Sequence, residues 1–252
     1  MPKPEPTPEQ LAARERDDAR LAARMAFLEQ VPLSKDYCSI RTTTGKTYSP
    51  VEDFVPGQDV DEIFEAFKNE VLPTRPLPWG TPVFRKSGKP THMINWLSGD
   101  WKGWFMSEAC LEVFAQHDLG EHRTYPFHIR KDGTTHPYFL LVVKPLNDRV
   151  VDISRSGFHR EVPDGSFLPP FEDYPLPSND EYERQYRHGD LYGVEAHRLV
   201  LAPGFDHGLD LFAFDTLWPV PFISLRLRKA LEAITPTGFV FTAERILHAN
   251  AP

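Results

Sequence analysis

One short turn between two strand-like runs constrains the fold of this chain more than any other feature of its sequence. The runs YPFHIR and THPYFLLVVKPL lie on either side of Lys131, Asp132 and Gly133, and Asp-Gly in this setting favours a β-hairpin. The second run contains FLLVV, which is apolar at every position. Such a strand is expected to be buried on both faces, so the sequence predicts a sheet in which this strand is central.

A second pattern occurs twice in the chain. The segments FMSEACLEVFAQHDLG and FISLRLRKALEAITPTG each contain an aromatic residue, a serine, a helix-like run and a glycine. Serine is a favoured N-cap, so Ser107 and Ser224 are predicted to cap two short helices. Glycine readily adopts positive φ beyond a helix, which we expect of Gly120 and Gly238. The repetition indicates either an internal duplication or a common β-α-β arrangement reached twice, and its serines are expected to cap helices rather than do chemistry.

The beginning of the chain differs in composition from the rest. Thr7, Pro8 and Gln10 match the pattern of a capping box with proline at the first helical position. The run that follows is rich in Ala, Arg and Glu. We therefore predict an N-terminal helical extension over residues 1–35, which is either a solvated helix or an arm through which the chain binds a partner or forms a homo-oligomer.

The remaining residues, 36–252, are predicted to form a single α+β domain with a mixed or antiparallel sheet. It contains two related strand-helix-strand units near 101–160 and 210–247. Two further elements are predicted from β-branched and apolar residues: a hairpin in CSIRTTTGKTYSPVEDF and a strand in RVVDISRSGF.

Composition limits the kind of partner that the chain can have. The formal net charge is -8 and the pI is about 5.7. This negative charge argues against binding to the phosphate backbone of a nucleic acid. No apolar run approaches the roughly 18 residues of a membrane-spanning helix, and the start MPKPEPTPEQ lacks the features of a secretory signal. A cytoplasmic protein with no membrane partner is expected, with Cys38 and Cys110 as buried, reduced thiols.

Nearly all of the negative charge is concentrated in one proline-rich insertion, residues 161–195. It holds nine acidic and two basic residues, so it is either a solvated loop or a docking surface whose tyrosines bury area while its carboxylates attract a basic partner. The expected partner-binding residues are Asp173, Tyr174, Asp180, Glu181, Tyr182, Glu183 and Tyr186.

The order GWFMSEACLEVF, YPFHI, YFLLVVKPL, DISRSGF and LFAFDTLWPVPFISLRLRKALEA with TGFVF resembles a family of bacterial immunity proteins, formerly a domain of unknown function. Members occur beside polymorphic or type VI-secreted toxins. The resemblance spans about 79–247 and implies a cytoplasmic antitoxin that binds and neutralises a cognate toxin without catalysis or a cofactor. The long acidic insertion departs from the family pattern. The matching residues are Ser107, Leu111, Gly120 and Phe127 in one half, and Ser224, Leu231, Gly238, Phe239 and Phe241 in the other.

An enzyme is the alternative interpretation. The sequence contains no GxGxxG, P-loop, CxxC, HExxH or GxSxG motif, and the spacing of His122, His128 and His136 matches no metal-ligand motif, so we predict no metal site. Polar residues between Asp152 and His159 leave open a small cytoplasmic, hydrolase-like enzyme with a site near His122–His159.

Overall fold

The structure is a computed structural model, and it shows an α+β fold with mixed and antiparallel sheets. The residues that the structure describes are 7–12, 14–15, 18–19, 22, 34, 36–42, 51–52, 72, 83–84, 90–95, 102–161, 171–217, 220–243 and 247–248.

The strands, in chain order, are β1 (Tyr37–Thr42), β2 (Val51–Glu52), β3 (Val83–Phe84), β4 (Met93–Asn95), β5 (Lys102–Met106), β6 (His122–Lys131), β7 (Thr134–Val143), β8 (Gly157–Glu161), β9 (Phe171–Asp173), β10 (Val194–Val200), β11 (Leu211–Phe212), β12 (Phe222–Ser224), β13 (Phe239–Ala243) and β14 (Leu247–His248). The helices with defined bounds are α1 (Glu108–Phe114), α2 (Asn179–His188) and α3 (Leu225–Ala233). Two short 3₁₀ turns lie at Asp148–Val150 and Ile153–Arg155.

Contacts within the chain divide it into two compact lobes. The larger lobe consists of Asp36–Val150 and Gly204–Glu244, and the smaller lobe of Met1–Lys35, Val151–Pro203 and Arg245–Pro252. The single domain predicted over 36–252 is divided by these contacts between the two lobes. The chain leaves the larger lobe after Val150 and builds a separate sheet before it returns at Gly204.

Two sheets form the larger lobe. One has six strands in the order β2-β3-β6-β7-β5-β4, and the other has four in the order β11-β12-β1-β13. Neighbouring strands are antiparallel throughout, except that β3 pairs in parallel with β6. The first sheet is therefore mixed and the second is antiparallel.

The predicted hairpin and its central strand are confirmed. Strands β6 and β7 pair from Lys131 and Thr134 outward, and Asp132 and Gly133 both have positive φ, 47° and 79°, as a type I′ turn requires. Alternate residues of β7 enter different cores. Leu141 and Val143 pack in the core that includes residues of α1 and α3, whereas Leu140 and Val142 belong to the core on the opposite face of the sheet. All four residues from Leu140 to Val143 are buried.

The two strand-helix-strand units have the same topology. The first is β5-α1-β6, with β7 between its strands and antiparallel to both; the second is β12-α3-β13, with β1 in the same position. Ser107 accepts a hydrogen bond from the Cys110 amide and Ser224 from the Leu227 amide, with nearly identical backbone angles. The capping prediction is thus confirmed, and both units are split β-α-β motifs.

Both predicted glycine exits are confirmed as well, but the two sites differ in how tightly they are packed. Gly120 has φ 62° and Gly238 has φ 92°. A Cβ on Gly120 would lie 3.4 Å from Leu209 Cδ2, whereas a Cβ on Gly238 would lie 2.1 Å from the carbonyl oxygen of Met93. The second glycine therefore permits a close backbone approach as well as a turn.

The predicted hairpin in residues 38–54 is wrong. Strand β1 pairs with β12 and β13, and β2 pairs with β3 in the other sheet. The β-branched residues around Gly45 suggested a local pairing, but the apolar Cys38 and Ile40 of β1 enter the core shared with α1 and α3. Burial of that face selects distant strands as partners.

A buried carboxylate connects the two split motifs. Asp210 is 1% exposed and accepts hydrogen bonds from Arg226 Nε at 2.9 Å and Nη2 at 2.7 Å, from the Ser224 hydroxyl, and from the Asp118 amide at 3.1 Å. Asp118 follows α1, whereas Ser224 and Arg226 begin α3. The network therefore joins the end of one motif to the start of the other.

The smaller lobe contains a four-stranded sheet in the order β14-β10-β8-β9. Strand β10 is parallel to β14, and the other pairs are antiparallel. The strand predicted in RVVDISRSGF is wrong before Gly157, because Asp152 caps a 3₁₀ turn by accepting from the Arg155 amide. Asp side chains favour such local bonds over a strand ladder.

The predicted capping box at the start of the chain is confirmed. The Thr7 amide donates to Gln10 Oε1 at 2.9 Å, and the Gln10 amide donates to Thr7 Oγ1 at 3.3 Å. The described residues between 8 and 22 are helical and exposed. Residues 23–33 of the predicted extension lie outside the described residues.

Both cysteines are buried thiols, as predicted. Burial raises the pKa of the Cys110 thiol to about 12, so it stays protonated. Among the described residues, no helix combines the length and apolar character required to cross a membrane.

Candidate binding surface

The described part of the acidic insertion is folded. Strand β9 leads through 174–178 to α2, and a tight turn at 189–193 connects α2 to β10. Ser178 caps α2 by accepting from the Glu181 amide at 3.2 Å, and Gly189 ends it with φ 77°. Asp180 and Glu181 lie in the first turn, where the helix dipole favours negative charge.

Arginines of the same helix neutralise part of its acidic charge. Glu181 accepts from Arg184 Nη2 and from Gln185 Nε2, both at 2.6 Å, and these hydrogen bonds lower the pKa of Glu181 to about 2. Glu183 is 3.4 Å from Arg187. Two of the predicted contact residues are therefore ion-paired within α2, while Asp173 and Asp180 are exposed.

The predicted tyrosines occupy three different environments. Tyr182 is 6% exposed and packs near the ring of Phe158, so it belongs to the core of the lobe and is removed from the contact set. Tyr174 is half-buried, and its hydroxyl donates to Gln185 Oε1 at 2.7 Å. Only Tyr186, 51% exposed, presents much of its ring to solvent.

The most exposed tyrosine of this region was not in the predicted set. Tyr192 is 94% exposed and lies in the turn between Gly189 and Gly193, both with positive φ. The paired glycines after a helix-like run were the sequence signal for a tight turn that presents this side chain. We call α2 and residues 189–193 together the α2-turn surface.

Several hydrogen bonds fix this turn. The Asp190 amide donates to the Gln185 carbonyl at 2.9 Å, and the Val194 amide donates to the Leu191 carbonyl at 2.9 Å. Arg160 Nη2 donates to the Asp190 carbonyl at 2.5 Å. The Arg160 guanidinium also lies over the Tyr174 ring, 4.2 Å from its centre. The turn is thus attached to both α2 and β8, which preorganises the side chains that it carries.

The histidines of the alternative enzyme site are distributed over both lobes. His122 and His128 are exposed on β6, and His136 on β7 contacts the ring of Phe84 edge-on. These three belong to the larger lobe, whereas His159 belongs to the smaller one.

The polar residues of that alternative site complete the 3₁₀ turn that precedes β8. The Ser154 hydroxyl donates to Asp152 Oδ1 at 2.6 Å, and the Ser156 hydroxyl donates to the Asp152 carbonyl at 2.7 Å. The Ser156 oxygen also accepts from the Val200 amide at 3.0 Å. Their polar atoms therefore satisfy local backbone and side-chain groups.

A pair of histidines in the smaller lobe was missed by sequence reasoning. His159 on β8 is 4% exposed, and its Nδ1 lies 3.3 Å from His197 Nδ1 on β10. Burial, and secondarily His159, lower the pKa of His197 to about 4. Within the part of the chain that the structure describes, no three His, Cys, Asp or Glu side chains cluster closely enough to hold a metal ion.

Comparison with known proteins gives no relative for this chain: no protein-family model matches it, and no curated protein is significantly similar to it.

Proposed function

We propose that this chain is an immunity protein that acts in the cytoplasm. It binds a cognate secreted toxin and neutralises it without catalysis, and the α2-turn surface of the smaller lobe makes the contact. The proposal rests on the resemblance of the sequence to immunity proteins and on one structural observation, the exposure of Tyr192 and Tyr186 on a fixed scaffold.

The exposure of these tyrosines is the observation that carries the proposal. Tyr192 is 94% exposed and Tyr186 is 51% exposed, in a lobe that has buried Tyr182 in its core. Tyrosine has few rotatable bonds, so its ring buries much area on binding at low entropic cost. Because the turn is already fixed by hydrogen bonds to Gln185 and Arg160, little further ordering is needed on association.

Charge on the same surface favours a basic partner. The described residues from α2 to Glu195 include the acidic Asp180, Glu181, Glu183, Asp190 and Glu195 against the basic Arg184 and Arg187. Three of these carboxylates, Glu181, Glu183 and Asp190, lie within 4 Å of an arginine of α2. We therefore expect the net negative charge mainly to steer the encounter, and the tyrosines to supply most of the affinity.

The partner is identified by affinity capture. The tagged full-length chain is recovered from its own cells at low and at high salt, and the retained proteins are identified by mass spectrometry. The proposal requires a retained protein that is toxic when expressed alone and harmless when this chain is co-expressed. If no retained protein has both properties, the immunity function is wrong and enzymatic activities become the next subject of assay.

The surface is tested separately with the purified partner. Tyr192→Ala is expected to weaken binding at least about tenfold, since truncated hot-spot residues commonly cost about 2 kcal/mol. The double variant Asp180→Lys/Glu183→Lys is expected to slow association and to reduce its salt dependence. Glu108→Lys/Glu112→Lys on α1 makes the same charge change in the larger lobe and is the matched control. Unchanged affinity and salt dependence in the first two variants would place the interface elsewhere.

A further inference from the structure

The backbone of β10 directs His197 toward His159. Strands β8 and β10 pair regularly at Glu195 with His159 and at Ala196 with Phe158, and then the register shifts so that Arg198 pairs with Gly157. His197 is the extra residue of this β-bulge. Bulges bend a strand and re-aim a side chain, and they are common beside functional sites.

A glycine provides the space that the His197 ring occupies. A Cβ on Gly157 would lie 2.3 Å from His197 Nε2 and 2.8 Å from its Cε1, so any other residue would collide with the ring. Glycine weakens a strand interior and often marks a place of close approach. The bulge and the glycine are two independent features of β10 and β8 that bring the same two imidazoles together.

We propose that His159 and His197 bind a divalent transition-metal ion of the Zn²⁺ type through their Nδ1 atoms. The observed Nδ1 to Nδ1 separation is 3.3 Å. Two imidazole nitrogens on one tetrahedral zinc ion, each at about 2.0–2.1 Å, are separated by roughly 3.3 Å. The observed spacing thus matches that of two ligands of one ion, and binding requires the two rings, which lie 23° from parallel, to turn until both lone pairs point at it.

The surroundings of the pair favour this binding state. His159 Nε2 lies 3.9 Å from Glu195 Oε2, which is too long for a hydrogen bond but places a carboxylate near the second nitrogen, where metal-bound histidines usually have one. A neutral imidazole that carries its proton on Nε2 has a lone pair on Nδ1. Metal binding by two neutral rings in this tautomer therefore releases no proton.

Charged groups from the adjoining strands complete the environment. Asp173 on β9 is the strand partner of His159 and acts electrostatically on His197, opposed by Arg198. Since no third protein ligand is close enough among the described residues, water has to fill the remaining coordination positions, and we expect weaker binding than at zinc sites with three or four protein ligands. The ion would connect β8 to β10, the two strands that adjoin the turn at 189–193.

The test is titration of the untagged full-length chain with ZnCl₂ at pH 7.5, followed by calorimetry and by NMR of the imidazole nitrogens. We expect one ion per chain, with the Nδ1 signals of both histidines shifted. His159→Gln and His197→Gln are each expected to weaken binding about tenfold or more, while His128→Gln, an exposed histidine of β6, leaves it unchanged. MgCl₂ is the negative control, because Mg²⁺ prefers oxygen ligands.

A folding defect does not obscure the result, because His197 is half-buried and tolerates glutamine better than the buried His159. If His159→Gln does not fold, His197→Gln alone decides. Absence of zinc binding by the wild-type chain, or equal binding by wild type and His197→Gln, overturns the proposal. Neither outcome bears on the toxin-binding function.

Discussion

The Asp210 carboxylate is buried and accepts hydrogen bonds from several parts of the larger lobe. Asp210 is 1% exposed, and the free-energy cost of burying its charge is offset by hydrogen bonds from Arg226, Ser224 and the Asp118 amide. The Asp210 to Arg226 pair is buried only on the carboxylate side, because the Arg226 side chain is 66% exposed, so a neutral residue at 210 weakens several hydrogen bonds to a charged acceptor without leaving a buried charge. Since these partners belong to both split motifs, the Asp210 carboxylate links the two motifs.

We predict that Asp210→Asn lowers the free energy of unfolding of the larger lobe by about 2 kcal/mol, measured by chemical denaturation. Glu232→Gln on α3, the helix that carries Arg226, is the matched control, because it removes the exposed Arg228 to Glu232 pair and is expected to cost at most about 0.5 kcal/mol. Equal effects of the two variants would show that the buried network contributes no more than a surface pair.

The same network has a pH dependence of known sign. Burial raises the pKa of Asp210, but the hydrogen bonds from Arg226 and Ser224 more than offset this effect, and the net pKa is lowered. The stabilisation is therefore complete above the ordinary carboxyl pKa and is lost as pH falls below it toward the lowered value. Asp210→Asn should flatten this acid limb of the stability profile.

Sequence patterns predicted residues whose partners are local, and missed those whose partners are distant. Ser107, Ser224 and Thr7 cap helices within three residues of themselves, so their roles follow from spacing. Asp210 is satisfied by residues on two elements that only the fold brings together. Tyr182 and Tyr186 are four residues apart on one helix, and only the position of Phe158 decides that the first is the buried one.

Among the elements, the two split β-α-β motifs form a natural pair for comparison. Their helices, caps and glycine exits were predictable from the sequence. The strand that lies between the two parallel strands was predictable in the first motif only. Strand β7 follows β6 through a turn with a recognisable sequence, but β1 carries no local signal for β12 and β13. The segment SNDEYERQYRHG contains the start and stop signals of helix α2. The overall composition of residues 161–195 does not reveal them, because it ignores the order of the residues.

The equivalent glycines of the two motifs should differ in their tolerance of alanine. Gly238→Ala is expected to destabilise the larger lobe by about 3 kcal/mol, since it combines positive φ with a Cβ 2.1 Å from the Met93 carbonyl oxygen. Gly120→Ala meets only Leu209 Cδ2 at 3.4 Å, so about 1 kcal/mol is expected. Thermal denaturation of both variants measures the difference, and equal losses would show that the close approach at Gly238 costs nothing beyond its backbone angle.

The whole molecule consists of two lobes that each have a hydrophobic core. Phe114 is fully buried in the larger lobe and Leu199 in the smaller one. The division could not be predicted from composition, because the smaller lobe interrupts the larger one and is completed by strand β14 after the larger lobe has ended. The excess of acidic residues in 161–195 indicates an insertion, but it does not indicate that the insertion folds.

We predict that the lobes respond separately to core truncation. Phe114→Ala should cost about 3–5 kcal/mol and speed amide hydrogen exchange across α1 and the six-stranded sheet, with peptides from 151–203 unchanged. Leu199→Ala, which costs about 2–5 kcal/mol, should produce the reverse pattern. If either variant accelerates exchange equally in both lobes, the molecule unfolds as a single cooperative unit.

The position of β1 in the chain also determines when each sheet can form during synthesis. The first split motif has all three of its strands once residue 143 has left the ribosome. The four-stranded sheet cannot close until β13 emerges, about two hundred residues after the β1 residues with which it pairs. At cellular elongation rates this is a delay of roughly ten seconds or more, in which the apolar face of β1 lacks its partners. The nascent chain therefore has a long interval in which a chaperone or a neighbouring polypeptide can bind its first strand.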